Sequence, residues 1–94
     1  MKMTDWYVYI VRCSDNSLYT GITIDVERRM DEHNNNNRLG AKYTRARRPV
    51  TPVYSEQLSS KSEAAKRESA IKQLSKDEKE RMIAQAAVLM SPAP

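Results

Sequence analysis

Near its start the chain shows no alternation of apolar and polar positions. Trp6-Tyr7-Val8-Tyr9-Ile10-Val11 is aromatic or β-branched throughout, the pattern of a strand buried on both faces. Ser14-Asp15-Asn16 follows with turn chemistry, because Asp bonds its local backbone and Asn tolerates positive φ. The extended pattern resumes in Leu18-Tyr19-Thr20-Gly21-Ile22, which predicts a hairpin. Asp25 is placed to cap a helix over 26–34, with Val26 and Met30 at i, i+4 spacing, and the polar run 34–37 ends it. Residues 38–49 have no clear period and read as a long basic loop, a length of loop that compact domains usually keep for function. A third strand follows over 50–56, at a sheet edge because Pro52 cannot donate to a ladder.

Ser60-Lys61-Ser62-Glu63 and Ser75-Lys76-Asp77-Glu78 are capping boxes. They open a second helix reaching Leu74 and a third whose apolar face is Met82, Ile83, Ala86 and Ala87, before a frayed end at 91–94. The order ββαβαα predicts an α+β fold, a small three-stranded antiparallel sheet flanked by about three helices. No repeat or internal boundary interrupts it, so 1–94 reads as a single domain, with its core over 6–74 and a C-terminal helix over 76–90.

Composition narrows the chemistry. Ninety-four residues, 39% hydrophobic and 30% charged, make a modest core that argues against large enclosed substrate cavities. Two glycines cannot furnish a phosphate-cradling Walker loop or a dinucleotide fingerprint. One Cys cannot form an internal disulfide, and with one His it cannot make a structural zinc site. No run has the apolar length of a membrane helix, and the opening residues lack a signal-peptide pattern, so a soluble, cytoplasmic protein is expected. The net charge of +4 is mild. Its distribution says more: Lys42, Arg45, Arg47 and Arg48 cluster around Tyr43, a mixture suited to phosphate-rich ligands. The same cluster also reads as a solvated loop, and the pattern leaves both open.

Carboxylates, tyrosines and arginines carry what chemistry remains. Arg29 and His33 stand at i, i+4 and project from one helix face. They read either as a phosphate clamp with a proton-handling partner, or as a surface Arg beside a His that favours the helix dipole. Glu68 lies between Ala64 and Ile71, on or beside the apolar stripe, where a carboxylate is costly without compensation. A bound metal, Arg29 or Lys72 could each provide it. Hairpin register decides where the tyrosines face. A two-residue turn pairs Tyr9 with Ile22 and sets Tyr9 and Tyr19 on opposite faces. A three-residue loop with Asn16 in the left-handed region pairs Tyr9 with Gly21 and puts both on one face.

Tyr7-Val8-Tyr9 followed by Tyr19-Thr20-Gly21 resembles the paired signature of the GIY-YIG nuclease superfamily. Arg29 within Val26-Glu27-Arg28-Arg29-Met30 is similar to that family's helix arginine, His33 to its frequent His or Tyr one turn later, and Glu68 to its metal-binding glutamate. The segment Ala41-Lys42-Tyr43-Thr44-Arg45-Ala46-Arg47-Arg48-Pro49-Val50 resembles the basic loop of the small, single-domain YhbQ-like branch. Two departures stand out: Tyr7 replaces the first Gly of the signature, and apolar Ile22 stands where some relatives carry Lys or a hydroxyl.

The resemblance implies an endonuclease that hydrolyses nucleic-acid phosphodiester bonds with one divalent cation, Mg²⁺ or Mn²⁺, in DNA repair or processing. DNA is the expected partner ahead of RNA. It further implies Glu68 as metal ligand, Arg29 stabilising phosphate charge, Tyr19 as general base, and Tyr9 and His33 orienting water or shuttling the proton. Lys42, Tyr43, Arg45, Arg47 and Arg48 would hold the nucleic acid. On this reading Tyr9, Tyr19, Arg29 and Glu68 line one concave, solvent-reachable surface. A catalytically silent nucleic-acid-binding module and a protein-partner adaptor are the alternatives, and nothing in the sequence fixes an oligomeric state.

Overall fold

The structure, a computed structural model, describes residues 5–90. The end expected to fray, 91–94, lies outside the described residues. Strands β1 (Trp6–Arg12), β2 (Leu18–Thr23) and β3 (Thr51–Leu58) form an antiparallel sheet in the order β2-β1-β3. The apolar first strand is therefore central. Its even positions, Val8 and Ile10, pack with Ile71 and Ile83 on one side of the sheet. Its odd positions, Tyr9 and Val11, pack with Cys13 and Val50 on the other, with Met30 and Tyr19 against them. Period-two geometry thus gives one strand two cores, which is why no position between Val8 and Val11 could be polar.

The hairpin takes the three-residue loop. Cys13 N–H donates to Ser17 O at 2.8 Å, Asn16 adopts φ 68°, and Asp15 Oδ1 accepts the Ser17 N–H at 3.0 Å. Tyr9 consequently faces Gly21 across the ladder. β3 is an edge strand, and its register with β1 steps between Ile10 and Val11. That irregularity lies where Pro52 could not have served a central strand.

Helix α1 (Val26–Asn35) begins where Asp25 accepts the Arg28 N–H at 3.0 Å. The next stretch differs from the loop expected over 38–49: it contains a one-turn helix, α2 (Lys42–Arg45). The order is therefore ββααβαα. A four-residue helix is too short to show an apolar period, and tertiary hydrogen bonds hold this one. Thr44 is fully buried with its Oγ1 2.9 Å from His33 Nδ1, and Arg45 Nη1 donates to Asn37 O at 2.6 Å. Asn34 closes the other end, its amide exchanging hydrogen bonds with Val50 N–H and O as a strand neighbour would.

Helices α3 (Lys61–Lys72) and α4 (Lys76–Met90) cover the Val8/Ile10 face. Ser60 Oγ caps the Glu63 N–H, and Ser75 and Glu78 complete a reciprocal capping box. The α4 face is narrower than expected, with Ile83 buried, Met82 and Ala86 half-buried, and Ala87 exposed. A two-pronged Arg12–Glu80 pair, 2.6 and 2.7 Å, ties α4 back to β1.

Candidate active site

The site is built on the Tyr9 face of the sheet. Tyr9 leaves the middle of the central strand opposite Gly21, and its ring lies across that glycine. A Cβ at position 21 would stand 2.6 Å from Tyr9 Cζ and closer still to the hydroxyl. The missing side chain lets the phenol lie down, and Tyr9 is 1% exposed. Its hydroxyl meets α1, where Arg29 and His33 project together because four residues complete one turn. Tyr9 Oη lies 2.7 Å from His33 Nε2 and 3.4 Å from Arg29 Nε.

His33 is fully buried. Its other nitrogen, Nδ1, is 2.9 Å from Thr44 Oγ1 on α2. Burial above all, and then the Arg29 charge, push the His33 pKa down to about 4, so the ring is neutral around pH 7. Burial likewise raises Tyr9 to about 12, with Arg29 opposing and the neighbouring Tyr19 and Glu68 adding to the rise. The Tyr9 hydroxyl therefore keeps its proton. Of the two readings of Arg29 and His33, the exposed surface pair is excluded by their burial and shared contact with Tyr9.

Arg29 is held on three sides. Besides Tyr9, its Nη1 donates to Glu32 at 2.9 Å and to Leu39 O at 2.7 Å. Its Nη2 has no protein partner among the described residues, which leaves one edge of a fixed guanidinium free for an anion. Tyr19 packs edge-on to His33, with centroids 5.5 Å apart, and stacks on Tyr43 at 5.8 Å. Tyr19 is half-buried as a residue, and its hydroxyl has no hydrogen-bond partner among the described residues. The Arg47 guanidinium sits 3.8 Å over the Tyr43 ring and pairs with Asp15. Tyr9 and Tyr19 thus share a face, as the three-residue register requires. The expectation that Tyr9 lines a solvent-reachable surface fails, because Tyr9 lies beneath the open residues.

The basic residues fall into two groups. Lys42 is exposed and unpaired among the described residues, and Arg45 spends one nitrogen on Asn37 O. Arg48 turns inward: it donates to His33 O at 2.6 Å, Asn37 Oδ1 at 2.8 Å and Asn36 O at 3.0 Å. It closes the carbonyl end of α1, a role in which a cation also suits the helix dipole.

Glu68 stands on α3 between the buried Ala64 and Ile71, near enough for its charge to act on Tyr9. Of the three compensations left open, an ion pair with Lys72 at 3.4 Å is present, whereas Arg29 pairs with Glu32. An exposed lysine at that distance binds weakly and leaves the carboxylate available. Among the described residues no three His, Cys, Asp or Glu side chains gather into a metal cage. One carboxylate suits a hard, largely hydrated cation such as Mg²⁺, which takes its other ligands from water and phosphate. It does not suit a closed zinc site.

The chain thus carries two tyrosines on one face of a three-stranded antiparallel sheet, an arginine-bearing helix over them and a glutamate on a later helix. Residues 5–81 match the GIY-YIG catalytic domain, and the chain belongs to that family. It is similar to a UPF0213 protein of Desulfotalea psychrophila, 55% identical over 83% of this chain and 70% of that protein. A UPF0213 protein of Staphylococcus haemolyticus is 57% identical over 86% of this chain and 96% of its own length. The solution NMR structure of a UPF0213 protein from Bacillus halodurans matches with TM-score 0.55 and 43% identity, covering 86% of this chain and 84% of that one. The solution NMR structure of a protein from E. faecalis matches with TM-score 0.60 and 38% identity, covering 96% of this chain and 94% of that one. Membership supports a nuclease-type function on nucleic acid. Among the described residues no helix is long and apolar enough to cross a membrane.

Three features of the site escaped sequence reasoning. Gly21 as the space for Tyr9 was readable once the register was chosen. Thr44 and the inward turn of Arg48 left no local signal, since both depend on how 38–49 folds back onto α1.

Proposed function

We propose that this chain is a divalent-metal-dependent endonuclease that hydrolyses nucleic-acid phosphodiester bonds, DNA ahead of RNA, in repair or processing. The observation that carries this reading is the convergence of Tyr9, Tyr19 and Arg29 around His33 on one sheet face. Tyr19 has the open hydroxyl and takes the proton from the attacking water. Arg29 presents its free Nη2 edge to the non-bridging oxygens, where charge grows in the transition state. The Tyr9–His33 pair holds that guanidinium from below and positions the floor of the site. Glu68 holds the cation, which when bound supplies Lewis acidity to a phosphate oxygen and the leaving group. Lys42, Arg45 and Arg47 bind backbone phosphates, Tyr43 offers ring surface beside them, and Arg48 keeps their loop in place.

The test uses labelled branched, nicked, single-stranded and duplex substrates with Mg²⁺ or Mn²⁺. Tyr19→Phe keeps the ring and its packing, so cleavage should slow by roughly 10²–10⁴ with folding and binding nearly intact. Glu68→Gln should be partly rescued by more metal, and Tyr19→Phe should not. A wild-type protein that binds the panel with a steep salt slope yet cleaves none of it would replace this reading with the silent binding module. Equal cleavage by wild type and Tyr19→Phe would move the base elsewhere.

A further inference from the structure

Thr44 belongs to no motif that points to catalysis, yet it is among the most deeply buried polar residues of the chain. Its Oγ1 lies 2.9 Å from Ala41 O and 2.9 Å from His33 Nδ1. A carbonyl oxygen only accepts, so the single hydroxyl proton is committed to Ala41. Toward His33 the hydroxyl then offers only lone pairs, and Nδ1 must carry the proton. The ring is buried near the guanidinium groups of Arg29 and Arg48, which makes it neutral with one N–H. Nε2 is therefore bare and accepts the Tyr9 O–H at 2.7 Å. That leaves the phenol oxygen's lone pairs for Arg29 Nε–H at 3.4 Å.

Every donor in the chain thus points the same way: Arg29 to Tyr9, Tyr9 to His33, His33 to Thr44, Thr44 to Ala41 O. We infer that Thr44 is a positioning residue, which sets the tautomer of His33 and through it the direction of the Tyr9 hydroxyl beneath Arg29. Removing the hydroxyl leaves two poor choices. With the proton on Nδ1, a buried N–H has no acceptor, a costly arrangement. With it on Nε2, that N–H and Arg29 Nε–H converge on the same phenol oxygen, and the Tyr9 proton loses its acceptor. Thr44 sits on α2 between Lys42 and Arg45, so the segment proposed to hold phosphate also holds this tautomer.

The effect on cleavage rests on the proposed nuclease reading; the tautomer itself does not. The chain has one His, so two-bond ¹H–¹⁵N correlation spectra of ¹⁵N-labelled protein report this ring alone. Wild type and Thr44→Ser should show a protonated Nδ1 and an unprotonated Nε2. Thr44→Val, close to Thr in shape, should show a mixed or reversed tautomer. On the substrate panel Thr44→Val should lose roughly 10–100-fold in kcat with little change in KM, and Thr44→Ser should restore most of it. A protonated Nε2 in wild type or Thr44→Ser overturns the inference, whether or not Thr44→Val folds. An unchanged tautomer in folded Thr44→Val overturns it equally. A shifted tautomer in Thr44→Val together with a wild type that cleaves none of the panel upholds the inference and refutes the nuclease reading.

Discussion

Burial of His33 as a neutral ring makes folding sensitive to mild acid, in a window where this histidine acts almost alone. An exposed His titrates near 6.5, and in the folded chain this one is held down to about 4 by burial and by Arg29. The unfolded chain therefore takes up a proton at pH values where the folded chain does not. A depressed folded pKa gives stability that is complete above the unfolded value and lost as pH falls toward the folded one. With those two values, stability at about pH 5 should be about 2 kcal/mol below that at about pH 8. The perturbation to make is His33→Gln, which keeps hydrogen-bonding capacity but cannot charge. Urea denaturation across that range should show the slope in wild type and a flatter profile in the variant. Carboxylates with lowered pKa, such as Asp15 and Glu80, contribute at more acid pH and in both proteins alike. A folded-state His33 resonance that titrates between about pH 6 and 7, near its unperturbed value, would refute the reasoning. So would equal slopes in the two proteins.

Gly21→Ala should cost about 1–3 kcal/mol, because the new methyl collides with the Tyr9 ring and hydroxyl. In a Tyr9→Phe background, which removes the nearest atom of that clash, the same change should cost less in urea denaturation. Arg48→Ala should destabilise by about 1–3 kcal/mol, chiefly through the His33 carbonyl it leaves unpaired, with little change in the salt dependence of nucleic-acid binding. Lys42→Ala should do the opposite: stability within about 0.5 kcal/mol of wild type, and a log K against log salt slope shallower by about 0.9.

What was legible in the sequence is what local rules decide. The double-sided apolar run made β1 central, Pro52 put β3 at the edge, and Asp25, Ser60 and Ser75 marked helix starts through bonds spanning three residues. Even the site's register was half-readable, since Asn16 is the residue that accepts the positive φ of the three-residue loop. Helix α2 was not, because one turn has no period and its support comes from outside the turn, from His33 on α1 and the Asn37 carbonyl. The burial of Tyr9 escaped for a related reason. A strand tyrosine reads as packing with a wet hydroxyl, and only the glycine across the ladder, with His33 above it, removes the water.

The same contrast gives the site its two layers. Tyr9, His33 and Thr44 are buried and fully hydrogen-bonded, and no buried side-chain polar atom among the described residues lacks a partner. Above them Tyr19 keeps an open hydroxyl and Arg29 a free edge, while Glu68, on α3, has only a weak lysine partner. A small core cannot enclose a substrate, so the groups that would meet one must be held from beneath. In this fold that support comes from the central strand and from a basic segment whose own shape depends on it. Substitutions in the lower layer should therefore change stability and geometry together, while those in the upper layer should change binding or chemistry in a protein that still folds. That separation is why Tyr19→Phe and Glu68→Gln are the variants to test first, ahead of Tyr9→Phe, whose loss of activity would have two causes.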